Sequence, residues 1–257
     1  MPIADSHCHA SLSWYEPIEA LLFQMERNGV DHAALIQMQG QYDNGYQAEC
    51  VRRYPGKFAS VVIVDPSKPD AAERLAEEVR AGATGVRLRP QDPLALWQAA
   101  ERLGLSVSCG GSSTAFAAPE FAAILERVSG VPIVIEHLGS INRPDDDTQH
   151  ELRRAVFGLS RFPNAHIKIH GLGEFQRRAM PATDPFPFVT PVAPALEWAY
   201  DAFGPNRMMW GSDFPPVSSR EGYANALRLP MEQLAGKSQA DRDAIFGGTA
   251  LRVFPVR

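Results

Sequence analysis

The residues best suited to chemistry stand at the start of the chain, in Ile3-Ala4-Asp5-Ser6-His7-Cys8-His9-Ala10. Side chains alternate in direction along an extended segment, so His7 and His9 face the same way and can reach one ion. Asp5 shares that parity. Neutral imidazole nitrogen is a favoured ligand for zinc and its neighbours, and a strand places a ligand pair more rigidly than a loop does. A His-x-His pair also arises by chance, so its meaning rests on partners from distant parts of the chain.

Those partners depend on the elements that position them. Apolar runs at residues 32–38, 58–64, 84–89, 105–109, 131–138, 165–170 and 208–214 read as strands following the first, with helical-period segments between them. In the first such segment Ile18, Leu21, Leu22 and Met25 share a face, Pro17 stands near the start and Gly29 near the end. Eight strands alternating with helices predict an α/β protein of one domain, residues 1–257, folded as a single (β/α)8 barrel. No glycine-rich nucleotide fingerprint follows the first strand, which disfavours an open doubly wound sheet. In a barrel the strand ends converge on one face. His7 and His9 end the first strand, His137 ends the sixth in Ile135-Glu136-His137-Leu138-Gly139, and Asp213 ends the eighth in Gly211-Ser212-Asp213-Phe214-Pro215. Three imidazoles and a carboxylate facing one another suit a catalytic divalent site with room for water.

Composition narrows the field. Hydrophobic content of 45%, charged content of 21% and a net charge of −5 without a basic run predict no nucleic-acid partner and no membrane association. No apolar stretch of membrane-spanning length and no signal-peptide pattern stands out, so a cytoplasmic location is expected. Cys8, Cys50 and Cys109 are too scattered for a disulfide framework and read as small core residues. Neither a Gly-x-Ser-x-Gly elbow nor a recognised cysteine-nucleophile signature occurs, which leaves water as the expected nucleophile.

Across nearly its whole length the chain resembles the amidohydrolase-2 group of the amidohydrolase superfamily, in its sugar-lactonase and dicarboxylate-lactonase branch. The resemblance is carried by Asp5-Ser6-His7-Cys8-His9, Gln37, Tyr42-Asp43-Asn44, Val64-Asp65-Pro66, Gly85-Val86-Arg87-Leu88-Arg89, Glu136-His137-Leu138-Gly139 and Gly211-Ser212-Asp213-Phe214-Pro215. It implies a (β/α)8 hydrolase with His7, His9, His137 and Asp213 at the positions that hold metal or bind substrate. Gln37 falls at a substrate-side position. The fifth strand ends Val107-Ser108-Cys109-Gly110, without a bridging ligand, so at most one divalent metal is expected, zinc or manganese, and operation without metal stays open. His170 stands where that branch usually has Ser, which makes it a candidate ligand or catalytic acid, or a ring packed within a layer.

Arg87 and Arg89 share a strand parity and should point into the barrel, where a guanidinium needs an anion. One is expected to bind a substrate carboxylate, Arg89 being nearer the catalytic face, and the other to pair internally, with Asp5 or Asp65. Lys168 reads as an internal ion-pair partner, and Arg143, in the loop after His137, as a further residue within reach of an anion. His32, His150 and His166 fall away from the catalytic face. The connection at residues 179–191 is either an active-site cover or a packed surface loop.

These readings converge on a hydrolase that opens a carboxylate-bearing lactone or related ester, with Asp213 as general base and His170 or an arginine on the oxyanion. The alternatives are a non-oxidative decarboxylase, a metal-independent lactonase, a lactone isomerase, or a binding barrel in which the ligand set is idle. The partner is then a small molecule, with a homo-oligomer left open.

Overall fold

A computed structural model describes residues 1–141, 148–189 and 194–256. Its strands are β1 Ala4–Cys8, β2 His32–Ile36, β3 Phe58–Val62, β4 Gly85–Leu88, β5 Ser106–Cys109, β6 Ile133–Ile135, β7 Ala165–Ile169 and β8 Met208–Trp210. They form one parallel sheet in sequence order. A parallel bridge between Cys8 and Phe214 brings the first strand against the chain leaving the last. There the Asp213 N–H donates to the His7 carbonyl at 2.7 Å and the His9 N–H to the Phe214 carbonyl at 2.8 Å. The result is the (β/α)8 barrel that the alternation predicts.

The helices are α1 Ile18–Asn28, α2 Gly45–Arg53, α3 Ala71–Arg80, α4 Leu94–Arg102, α5 Ser113–Ala117, α6 Pro119–Arg127, α7 Thr148–Phe157, α8 Ala195–Phe203, α9 Tyr223–Gln233, α10 Gln239–Asp243 and α11 Thr249–Val253. Each long helix turns an apolar stripe to the sheet, as an amphipathic period requires. Leu21 and Met25 of α1, Leu75 of α3, Trp97 of α4 and Leu196 of α8 are fully buried in this outer core. Phe121 of α6 is edge-on to both Trp97 and Phe116, with ring centroids at 6.2 and 5.2 Å.

A second, smaller core fills the barrel interior. Ala4, Ala34 and Ala59 on three adjacent strands leave space that Phe254, just after α11, occupies together with Val61, Val134, Met209 and Val253. The plug sits where the strands begin: the Ser106 hydroxyl, at the start of β5, donates to the Val253 carbonyl at 2.6 Å. Above it the interior turns polar, with Arg87, Ser108, Glu136 and Lys168.

Most strands stop short of their apolar runs, β2 and β3 by two residues each and β6 and β8 by the most. β6 ends at Ile135, and His137, Leu138, Gly139 and Ser140 all take positive φ, from 48° to 67°. β8 ends at Trp210, and Asp213 has φ 58°. Hydrophobicity marks burial, and these segments stay buried after leaving the ladder. Left-handed backbone at a non-glycine residue is costly and concentrates at functional sites, and here it falls on His137 and Asp213.

Gly211 is required by close approach, because a Cβ there would lie 2.6 Å from His7 Cβ and 2.8 Å from the His7 nitrogen. Gly211→Ala is expected to lower stability by at least about 2 kcal/mol, measured by urea unfolding. Gly236→Ala, with nothing within 4 Å of the added methyl, should stay near wild type. Equal stabilities for the two variants would remove the close-approach argument.

Candidate active site

The site begins with Asp5, whose carboxylate is fully buried at the seam between β1 and the chain after β8. Its Oδ1 accepts from the amides of His7 at 3.1 Å and Ser212 at 2.8 Å, and its Oδ2 from the Tyr223 hydroxyl at 2.9 Å. Burial pushes its pKa upward against these hydrogen bonds. Asp5 thereby sets the backbone of His7 on β1 and of Ser212, the residue before Asp213, at one height.

His7, His9 and Asp213 then converge. Asp213 Oδ1 is 3.8 Å from His7 Nε2 and 3.5 Å from His9 Nε2. His9 Nδ1 lies 2.7 Å from the Ile36 carbonyl, which can only accept, so Nδ1 carries the proton and Nε2 presents a lone pair. His7 Nε2 is buried and has no hydrogen-bond partner among the described residues. Burial, with the charge of Lys168 and the neighbouring rings and Arg87 adding to it, holds His7 neutral by pushing its pKa well down. Asp213 Oδ2 accepts from Arg220 Nη1 at 2.9 Å, which leaves Oδ1 to the imidazoles. Two imidazole lone pairs and a carboxylate oxygen within 4.8 Å of one another fit a divalent ion.

Beneath this trio lies a charged layer. Arg87 donates from Nε to Glu136 Oε1 at 3.0 Å and from Nη2 to Oε2 at 2.7 Å, a bidentate pair, and from Nη1 to the Gln37 carbonyl at 3.0 Å. Ser108 donates to Glu136 Oε1 at 2.6 Å, and Lys168 Nζ donates to the Ser108 hydroxyl at 2.7 Å and lies 3.3 Å from His7 Nδ1. Burial holds the Lys168 amine at about 8, so it can give a proton to His7 Nδ1 or take a hydrogen bond from it.

Beside the trio, Glu174 gathers a second group. Its Oε1 is 3.1 Å from His137 Nδ1 and 2.8 Å from Arg220 Nη1, and its Oε2 is 3.2 Å from His170 Nε2. His170 Nδ1 faces the Gly171 carbonyl at 3.1 Å and its ring stacks on Phe175. Both nitrogens of His170 thus face the protein. Glu221 fills the space beside Gly171 and Gly173, where a Cβ on either glycine would run into its carboxylate, and Arg220 Nε lies 3.6 Å away. The other donor sets are crossed by cations: Arg87 binds both oxygens of Glu136, and Arg220 binds the Glu174 oxygen that His137 shares. Asp213 Oδ1 is the carboxylate oxygen that faces two imidazoles without a guanidinium on it.

Several expected site residues lie elsewhere. His137 touches His7, with ring centroids 4.8 Å apart, but its nitrogens group with His7 and Glu136 and with His170 and Glu174, outside the trio. Arg87 is the internally paired arginine, its partner Glu136 and not Asp5 or Asp65. The Gln37 amide is taken up locally, by the Asp43 carbonyl at 2.8 Å and the Met38 amide at 2.8 Å. Arg89 lines a cavity of about 510 Å³ with Gln39, Gln91, Ser112, Glu136 and His137. Arg143 lies outside the described residues. His32 and His166 bond to carbonyls at their strand starts, and Cys8, Cys50 and Cys109 are buried and free. Residues 178 and 188 form an antiparallel bridge, with Met180 and Val189 exposed between and beyond them, and the end of that connection is outside the described residues. The interacting roles of Glu174, Arg220 and Glu221 escape a motif reading. Their one signal is Gly171-Leu172-Gly173-Glu174 after a strand, where closely spaced glycines mark a close approach.

Glu136 gives the site a pH signature. Burial alone would raise its pKa, but Arg87 and Lys168 outweigh that and hold it at about 2 against an ordinary 4.5. A carboxyl depressed in the folded state adds stability that is complete above its unfolded value and fades as pH falls through the folded one. The stability gap between wild type and Glu136→Gln should therefore narrow by on the order of 3 kcal/mol between about pH 5 and pH 2, as read by denaturant unfolding. A constant gap would show that the charge of Glu136 does not contribute.

The comparisons agree with this architecture. A crystal structure of an amidohydrolase from Burkholderia multivorans with bound zinc superposes with a TM-score of 0.78 at 22% identity, over 100% of both chains. A putative 2-pyrone-4,6-dicarboxylic acid hydrolase from Pseudomonas putida gives 0.77 at 23% identity, over 100% of this chain and 98% of that one. The L-fucono-1,5-lactonase of B. multivorans is 31% identical over 144 residues, 53% of this chain and 47% of the lactonase, so the match spans about half of that relative. The profile of the Amidohydro_2 family matches residues 7–256, from the first histidine of the trio to the end of the barrel, and the chain belongs to this amidohydrolase family.

Proposed function

We propose that this protein is a hydrolase that opens a lactone by attack of water, with Asp213 as general base. The observation that carries the reading is the convergence of His7 Nε2, His9 Nε2 and Asp213 Oδ1 close to a cavity that Arg89 lines. The similarity to a sugar lactonase and to a dicarboxylate hydrolase supports it. His7, His9 and Asp213 would hold one divalent ion, zinc by the chemistry of two imidazoles and a carboxylate. Such an ion, when bound, polarises a carbonyl oxygen and acidifies water.

The chain's own residues do the rest. Arg220 donates to Asp213 Oδ2 and leaves Oδ1 turned to His7 and His9, and the Asp213 carboxylate takes the proton from the attacking water. The water oxygen bonds to the lactone carbonyl carbon, and the ring C–O bond then breaks. Asp213 returns its proton to the departing alkoxide, and the product is the open hydroxy acid. With Arg87 neutralised by Glu136, Arg89 is the guanidinium offered to a substrate carboxylate, and Gln39, Gln91 and Ser112 offer hydrogen bonds to hydroxyl or carbonyl oxygens. His170 packs against Glu174 and Phe175 beside this machinery.

Purified without chelator, the protein is expected to contain about one zinc per chain and to hydrolyse members of a panel of sugar-acid and dicarboxylate lactones. Removal of the metal should abolish turnover, and returning zinc should restore it. Turnover that survives chelation would reassign His7 and His9 to direct substrate contact. Asp213→Asn should lower kcat by at least about 100-fold, and near-normal kcat would remove the general-base role. Arg89→Met should raise KM for carboxylate-bearing lactones by about 10-fold or more and leave neutral lactones little changed; equal effects would make Arg89 structural.

A further inference from the structure

Glu174 has no place in the water-attack sequence, yet it touches both halves of the site. One oxygen serves His137 Nδ1 and Arg220 Nη1, and the other faces His170 Nε2. The same Arg220 nitrogen reaches Asp213 Oδ2 at 2.9 Å. We propose that Glu174 is the positioning residue of this site: it fixes His137 as the Nδ1–H tautomer and, through Arg220, turns Asp213 so that Oδ1 faces His7 and His9. This rests on the hydrolase reading above for its kinetic consequence, though not for its structural one.

Donors and acceptors decide the tautomer. Ionised Glu174 can only accept, so His137 Nδ1 at 3.1 Å must donate, and Nε2 is left as the acceptor of a ring that lines the cavity. The backbone alone does not hold this geometry in place. His137 sits at φ 51°, the start of a left-handed run through Ser140, and Asp213 at φ 58°. Residues in such conformations persist where their surroundings over-determine them. Glu174 and Arg220 supply that constraint from one side, tying the turn after β6 to the turn after β8. The base for both is β7, whose following turn carries Glu174 against Glu221.

Alanine removes both carboxylate oxygens, so His137 Nδ1 and Arg220 Nη1 lose the acceptor they share. In Glu174→Ala, kcat on the best lactone of the panel should fall about 10–100-fold, the range seen for residues that orient a catalytic group, with KM within about threefold. Imidazole ¹⁵N shifts report the tautomer directly and do not depend on turnover. Wild-type His137 should show a protonated Nδ1 and a bare Nε2, and the variant should lose that pattern. Arg220→Lys keeps the carboxylate, so it should retain the His137 signature while lowering kcat. A wild-type His137 protonated on Nε2 would overturn the proposal whether or not the variants fold. So would unchanged kcat in Glu174→Ala, or a loss carried by KM alone. If the wild type opens no lactone, the hydrolase reading fails, and the ¹⁵N pattern still decides the role of Glu174.

Discussion

Closing a parallel barrel requires its first strand to meet its last, and here that seam is pinned by one buried carboxylate. Asp5 receives two backbone amides and a tyrosine hydroxyl, so neither of its oxygens is left without a donor. The amides belong to His7 and to Ser212, the neighbour of Asp213. What the seam aligns is therefore the candidate chemistry itself. Because Gly211 lies against the backbone of His7, no side chain intervenes, and the two turns approach closely enough for Asp213 Oδ1 to face both imidazoles.

Burying charge is expensive, and the barrel interior holds a good deal of it. The expense is met by a chain of contacts above the apolar plug: Lys168 lies over Phe254 and donates to Ser108, Ser108 donates to Glu136, Glu136 pairs with Arg87, and His7 stands beside the Lys168 amine. Each polar group in this column is a hydrogen-bond partner of the next. A ring held on one nitrogen by a carbonyl, as His9 is by Ile36, has little freedom left to lose when it takes up a ligand. The column thus explains both why the upper face is rigid and why His7 stays neutral.

Much of this was legible in the sequence, and the failures share one cause. Strand order follows from periodicity, and the rule that strand ends converge gives His7, His9, His137 and Asp213, of which the nitrogens of His137 turn to other partners. The wrong partner for Arg87 and the over-long sixth and eighth strands arise because parity along a strand says where a side chain points but not what faces it across the barrel. Glu136 was visible beside His137, yet only the packed interior shows its carboxylate turned toward Arg87. Gln37 and Gln39 differ by two residues, and local hydrogen bonding within the turn at Asp43 takes the first and leaves the second at the cavity. Glu174 and Arg220 lie in turns, where spacing carries no periodic signal. The relation between them is purely spatial.

The contact of Glu221 with Gly171 and Gly173 reaches beyond this one chain. The carboxylate occupies the volume that side chains on those glycines would need, so none of the three positions can drift independently. A larger residue at 171 or 173 is compatible only with a smaller one at 221, and a smaller residue at 221 opens a void beneath the turn that carries Glu174. In an evolving lineage, the ends of the seventh and eighth strands are inherited as one unit, and a new specificity that needs a side chain at either glycine needs a compensating change at 221.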